Sequence, residues 1–113
     1  MVAKNILLTV TPYAVERTIK KLGNNLRTAR LRRKLTIADV AQKIGTGARA
    51  IRAAENGNAS TGIAVYAALL WTYGMLLPLA ELADPREDEE GLALAEVGPN
   101  ARARKSRGLD NDF

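Results

Sequence analysis

The chain has no cysteine and no histidine among its 113 residues. That removes thiol nucleophiles, thiolate or imidazole metal sites, disulfide staples and the usual neutral-pH general base together. Aromatic residues number only five, too few for the base-stacking platform of a typical RNA-binding surface. Long apolar runs are missing as well. Residues 56–80 carry no charge, but Asn56, Gly57, Asn58, Gly62, Gly74 and Pro78 interrupt them, and the unbroken apolar run covers only 63–71. A spanning helix needs about 20 mostly apolar residues. The apolar run 6–10 is too short for a signal-peptide core and no small-residue cleavage site follows it. A soluble cytoplasmic protein without membrane contact is expected. Carboxylates or a lysine of lowered pKa could still build an enzyme. No such groups cluster beside a Gly-rich phosphate loop or a nucleophile elbow, so the expectation is a non-enzymatic protein with no cofactor and no metal.

What is present is positive charge, unevenly placed. Residues 1–60 carry twelve Lys/Arg against three acids, Glu16, Asp39 and Glu55, a net of +9. Residues 61–113 carry five Lys/Arg against nine acids, a net of −4. A polyanion would meet the first half and be repelled by much of the second. The length allows one compact domain with short tails.

Along the chain, residues 6–10 favour a strand by composition, either paired with its twin in a dimer or left as a frayed leader. Thr11-Pro12 is a good helix start, and Val15, Ile19, Leu22, Leu26 and Ala29 then mark one apolar face running to about Arg33. Arg17, Lys20, Lys21, Arg27, Arg32, Arg33 and Lys34 make its other face basic. Thr36-Ile37-Ala38-Asp39 has the shape of a capping box, with Asp where Glu or Gln is usual. Val40, Ala41 and Ile44 follow on one face, and Gly45 suits a left-handed C-cap. Thr46 or Gly47 can cap a third helix over 48–56, with Ile51 and Ala54 inward. Asn56-Gly57-Asn58 is a turn. Ser60 or Thr61 opens a fourth helix to about Tyr73, stopped by Gly74, and Pro78 begins a last short one through Ala83. The expected architecture is all-α and five-helical: an N-terminal arm or strand over 1–11, the helical domain over 12–83, and a disordered acidic and basic tail over 84–113.

Two short helices joined by a tight Gly turn form a helix-turn-helix. The run Leu22-Gly23-Asn24-Asn25-Leu26-Arg27 through Leu35-Thr36, Ala41-Gln42-Lys43-Ile44-Gly45-Thr46, Ile51 and Glu55-Asn56-Gly57 resembles the Xre/phage-repressor family over residues 22–82 without a gap. The resemblance implies that the third helix enters the major groove, with Gly47, Ala48, Arg49, Arg52 and Ala53 toward base edges. Arginine there can donate two bonds to guanine, worth about 1–3 kcal/mol of discrimination; the plainer alternative is a solvated or phosphate-clamping arginine. Phosphate contacts are implied for Thr36, Lys43, Thr46 and Asn56, with Arg32, Arg33 and Lys34 as a basic reserve. The family often has Gln after the cap of the second helix where this chain has Ile37, which obscures the operator sequence. Arg30 and Glu55 stand where the family often holds a buried ion pair, with phosphate contact by Arg30 as the alternative.

On the fourth helix Ile63, Tyr66, Leu70 and Tyr73 form one buried stripe, while Val65, Ala68, Trp71 and Met75 lie largely off it. Such leftover apolar surface marks an interface. Trp71, Met75, Leu76, Leu77 and Leu79 are the expected homodimer contacts, unless they pack under the fifth helix of the same subunit. A dimer places two recognition helices about one turn of double-stranded DNA apart, on a palindromic operator. The tail, with Asp84-Pro85, Glu89-Glu90-Gly91-Leu92-Ala93-Leu94, a basic run and Leu109-Asp110-Asn111-Asp112-Phe113, resembles HipB-type antitoxins. That implies a HipA-type Ser/Thr kinase toxin as partner, docked by Leu109 and Phe113, and repression of the shared operon. The alternatives are an inert tail on a plain Xre-family repressor, or a protein-interaction module whose basic face is incidental.

Overall fold

A computed structural model describes residues 5–97 of the chain. Among them there are seven helices and no strand: α1 (Ile6–Thr9), α2 (Tyr13–Arg32), α3 (Ile37–Ile44), α4 (Ala48–Glu55), α5 (Ile63–Thr72), α6 (Leu77–Ala80) and α7 (Glu89–Ala95). They fall into two compact units that divide between Ala80 and Glu81.

In the first unit, four fully enclosed side chains organise the core. Leu26, Val40, Ile51 and Leu69 come one each from α2, α3, α4 and α5. Each burial is worth about 1.5–3 kcal/mol, so every helix has its own anchor. Ala29, Ala41, Ala54, Tyr66 and Tyr73 complete the cluster. The small residues matter as much as the large ones. Gly23 of α2 lies against the C-terminal end of α4, where a Cβ would collide with the Ala54 carbonyl and stand 2.8 Å from Glu55 O and Gly57 N. The two helix backbones touch because position 23 has no side chain.

The four long helices close alike. Each ends at a residue in the left-handed region, Lys34, Gly45, Gly57 and Gly74 with φ of 58°, 77°, 70° and 73°. The next N–H then reaches back five residues: Leu35 to Arg30 O at 3.2 Å, Thr46 to Ala41 O at 3.1 Å, Asn58 to Ala53 O at 3.0 Å and Met75 to Leu70 O at 2.8 Å. This is the Schellman closure. Three of the four are glycines, as that conformation prefers, and the fourth is a lysine.

Several expectations need correction. Residues 6–10 are not a strand; α1 is a single turn begun by Asn5, whose side chain accepts from Leu8 N. A local cap with no partner strand beside it outweighs the β-leaning composition. Pro12, not Thr11, is the N-cap of α2, and the Thr11 hydroxyl instead donates to Leu7 O at 2.7 Å. On α5, Leu69 is enclosed and Ile63 is 72% exposed, so the buried stripe is Tyr66, Leu69 and Tyr73. That helix begins after Gly62, because the Asn58 side chain takes the Ser60 N–H and hydroxyl at 2.8 and 2.7 Å. α6 ends at Ala80 rather than Ala83, which has φ 62°.

The second unit is not structureless either. Arg86 folds back on Asp84 at 2.9 Å, and Asp88 caps α7 by accepting from Gly91 N at 3.0 Å. The expected disorder over 84–113 is therefore overturned for residues 89–95, and the five expected helices become seven.

Candidate nucleic-acid interface

The local geometry of α3 and α4 follows from their caps. Thr36 Oγ1 accepts from Asp39 N at 3.0 Å while Asp39 Oδ2 accepts from Thr36 N at 2.9 Å, a reciprocal capping box. The Thr36 backbone N–H, and after it the Thr36 hydroxyl, hold the Asp39 carboxyl below the usual carboxylate range. A negative charge therefore already sits at the start of α3, against the Thr36 side chain. The N-cap of α4 is Gly47, which has no side chain to cap it. An acceptor from outside, such as a phosphate, suits that end better.

On α4, Ile51 and Ala54 are fully enclosed and fix which face looks inward. Arg49 and Arg52, three residues apart, are exposed on the other side with Asn56. Among the described residues neither guanidinium has an acidic or hydrogen-bonding partner. Ala48 and Ala53 are half-buried, and Gly47 is exposed at the head of the helix. The face is thus two unpaired arginines on a shallow background of small residues.

This helix is pinned from behind. Arg30 on α2 donates Nε to Glu55 Oε2 at 2.8 Å, Nη2 to Glu55 Oε1 at 3.0 Å and Nη1 to Leu35 O at 3.0 Å. Both residues are buried. The hydrogen bond to Glu55 is the main cause of an upward shift in the Arg30 pKa. A guanidinium so engaged is not available to a phosphate.

The other expected phosphate contacts divide. Asn56 is exposed beside the α4 arginines, and Thr46 is half-buried at the α3–α4 turn. Lys43 is exposed, but its ammonium stands 5.6 Å from the Trp71 ring centroid in a cation–π contact. Arg33 donates to Ala29 O at 3.0 Å and Tyr73 O at 3.3 Å, and lies 5.3 Å over the Tyr73 ring, tying the end of α2 to the end of α5. Arg32 and Arg33 line a cavity with Leu22, Leu26, Leu70 and Met75 that no residue of α3 or α4 borders. Lys20 was not singled out as a contact, yet its backbone packs so tightly on Gly57 that a Cβ there would collide with it. That sets a cation next to the turn after α4. The only sequence signal was its place one turn before Gly23 on the same helix face.

Trp71, Met75, Leu76 and Leu77 are exposed, Trp71 by 57%, and Leu79 is half-buried. Leu109 and Phe113 lie outside the described residues.

A family model described as a helix-turn-helix domain matches residues 21–84, more than half of the chain. The chain belongs to this helix-turn-helix family. Comparison with curated proteins and with solved structures finds no match. A helix-turn-helix domain points to DNA as partner and to transcriptional regulation, and such domains are usually non-enzymatic. No helix among the described residues is long and apolar enough to cross a membrane.

Proposed function

We propose that the protein is a sequence-specific DNA-binding repressor that reads a palindromic operator as a homodimer, with α4 in the major groove. The observation that carries this reading is the pair Arg49 and Arg52, unpaired and exposed on the face of α4 opposite the enclosed Ile51 and Ala54. Arginines without internal partners on a helix clamped by a buried ion pair are preorganised to donate to guanine edges. Asn56, Thr46 and the uncapped head of α4 are the proposed backbone contacts. The exposed Trp71, Met75, Leu76 and Leu77, with Leu79, supply the proposed dimer face.

The test is a salt-titrated binding isotherm on duplexes selected by the protein from a random pool, set against scrambled duplexes. Arg49→Ala and Arg52→Ala should each lose about 1–3 kcal/mol on the selected site and little on the scrambled one. Both duplexes should show a negative salt slope. Equal weak binding to both, unchanged in the variants, would remove α4 as the reading helix. Service as an antitoxin to a HipA-type kinase is a finer proposal that rests on the tail sequence alone. Co-purification of the chain with a co-expressed kinase of that type tests it.

A further inference from the structure

The N-terminal arm and the groove between α2 and α5 have the same unusual character. From residue 5 to residue 15 there is no charge, and α1 buries none of its residues. Ile6, Leu7, Leu8 and Val10 are all exposed, Ile6 and Val10 by 69% and 70%. A one-turn helix cannot hold itself together by its single turn of hydrogen bonds, so α1 needs cover to persist. The groove has a volume of about 230 Å³ and is bordered by Ile19, Leu22, Ile63, Tyr66, Leu70 and Leu79, with no charged residue at its edge. Two hydroxyls, of Thr61 and Tyr66, also border it, and Tyr66 Oη donates to Asn58 O at 3.0 Å. Ile63 stands exposed at the lip.

We infer that this groove receives the N-terminal arm of a second copy of the chain, Ile6 and Leu7 leading, in a reciprocal exchange. The inference rests on the dimer reading above and names its interlocking part. Three observations favour a second copy as the occupant. Both surfaces are uncharged on a chain that is otherwise strongly charged, so each lacks a partner among the chain's charged surfaces. Leu79 belongs both to the groove and to the proposed dimer face, which makes the two continuous. Ile19 lies only about 9 Å along the axis of α2 from the point where the arm leaves it. The arm and the α2 side of the groove thus both belong to the N-terminal half of that helix, so a reciprocal exchange about a twofold axis brings each arm to the other copy's groove. No groove residue belongs to α3 or α4, so the exchange leaves the recognition face open.

The absence of cysteine gives a clean test. Protein carrying Leu7→Cys is mixed with protein carrying Ile63→Cys under mild oxidation, in the full chain. A mixed disulfide dimer is expected. In sedimentation velocity, Leu7→Asp and Ile63→Asp should each raise the dimer dissociation constant at least about tenfold, the pair together no more than the stronger of them, with helical circular dichroism unchanged. A monomer-sized disulfide in the doubly substituted Leu7→Cys, Ile63→Cys chain would show the arm in its own groove and overturn the proposal. So would a dimer that both Asp variants leave intact and Trp71→Asp disperses; in that case the dimer reading stands without the exchange. A wild-type chain that stays monomeric at every soluble concentration overturns both.

Discussion

Arg30 and Glu55 meet through two parallel hydrogen bonds, at 2.8 and 3.0 Å, between the long helix α2 and the last residue of α4. Both side chains are almost wholly removed from water, 9% and 5% exposed. Such a pair contributes little net stability, because desolvating two charges offsets most of their attraction. What it does well is fix geometry: the planar fork admits one orientation of α4 relative to α2. Removing one partner is another matter. Glu55→Ala strands a buried guanidinium and should cost about 3–5 kcal/mol in urea unfolding. Against a typical total of about 5–15 kcal/mol that is a large fraction. Arg30→Met with Glu55→Leu should recover most of the loss, and leave a domain that folds but discriminates DNA sites less well.

Two buried tyrosines are expected to respond in opposite ways to loss of their hydroxyls. Tyr66 Oη donates to Asn58 O at 3.0 Å, whereas the Tyr73 hydroxyl is enclosed without a partner. Tyr66→Phe should lose about 1 kcal/mol, and Tyr73→Phe should be neutral or stabilising, since it removes an unpaid desolvation cost. Burial pushes both phenols above the usual tyrosine range, with the Glu55 charge adding to it at Tyr73. A raised pKa in the folded state gives stability that is complete below the ordinary value and lost as pH climbs through the raised one. Unfolding followed from pH 8 into the alkaline range should show a fall that is shallower in Tyr73→Phe. Parallel curves for the wild type and the variant would contradict the assignment.

What the sequence made legible depended on whether a residue type marks a conformation by itself. Gly45, Gly57 and Gly74 announced three helix ends, because left-handed backbone favours glycine. Lys34 announced nothing. Ile51 and Ala54 set the inward face of α4, and the outward arginines followed. On α5 the same reasoning lost its phase: the helix is apolar all round, and stripes through 63, 66, 70 and 73 or through 66, 69 and 73 fit equally well. Only packing against the other helices chose Leu69. The contact of Lys43 with Trp71 joins residues far apart in the chain, beyond the reach of any local pattern. α7 was missed for a different reason. Its Asp88 cap and helix-forming Glu, Leu and Ala were visible, but without apolar periodicity they gave no face to bury.

Lys34 is the one non-glycine among the four Schellman closures, at φ 58°. A side chain there costs roughly 1–2 kcal/mol, and glycine gives back roughly 0.5–1 kcal/mol through its looser unfolded chain. The difference favours glycine. Lys34→Gly should raise stability by about 0.5–1 kcal/mol, seen as a higher urea midpoint with unchanged slope. Lower stability would mean that the exposed ammonium makes a contribution the backbone geometry does not reveal. The same variant separates charge from fold, because any loss of DNA affinity then has to come from the missing cation.

Asp39 is where stability and DNA affinity are expected to oppose each other. Its carboxylate sits at the positive end of α3, and hydrogen bonds from the Thr36 N–H and then the Thr36 side chain hold its pKa below the usual range. A depressed folded pKa contributes stability above the unfolded value, lost as pH falls through the folded one. The thermal midpoint of the wild type should therefore exceed that of Asp39→Asn at neutral pH, and the gap should close on the acid side. Thr36, at the same helix end, is a phosphate contact implied by the family resemblance, and a phosphate arriving there meets the Asp39 charge. Two unit charges a few ångströms apart in water repel by about 1 kcal/mol. Asp39→Asn should then bind DNA a few-fold more tightly at low salt, with the advantage shrinking as salt screens it. A variant that is less stable but binds better would place the DNA backbone at the start of α3. Unchanged affinity together with the expected stability loss would move the phosphate path to the head of α4, where Gly47 offers no side chain and no competing charge.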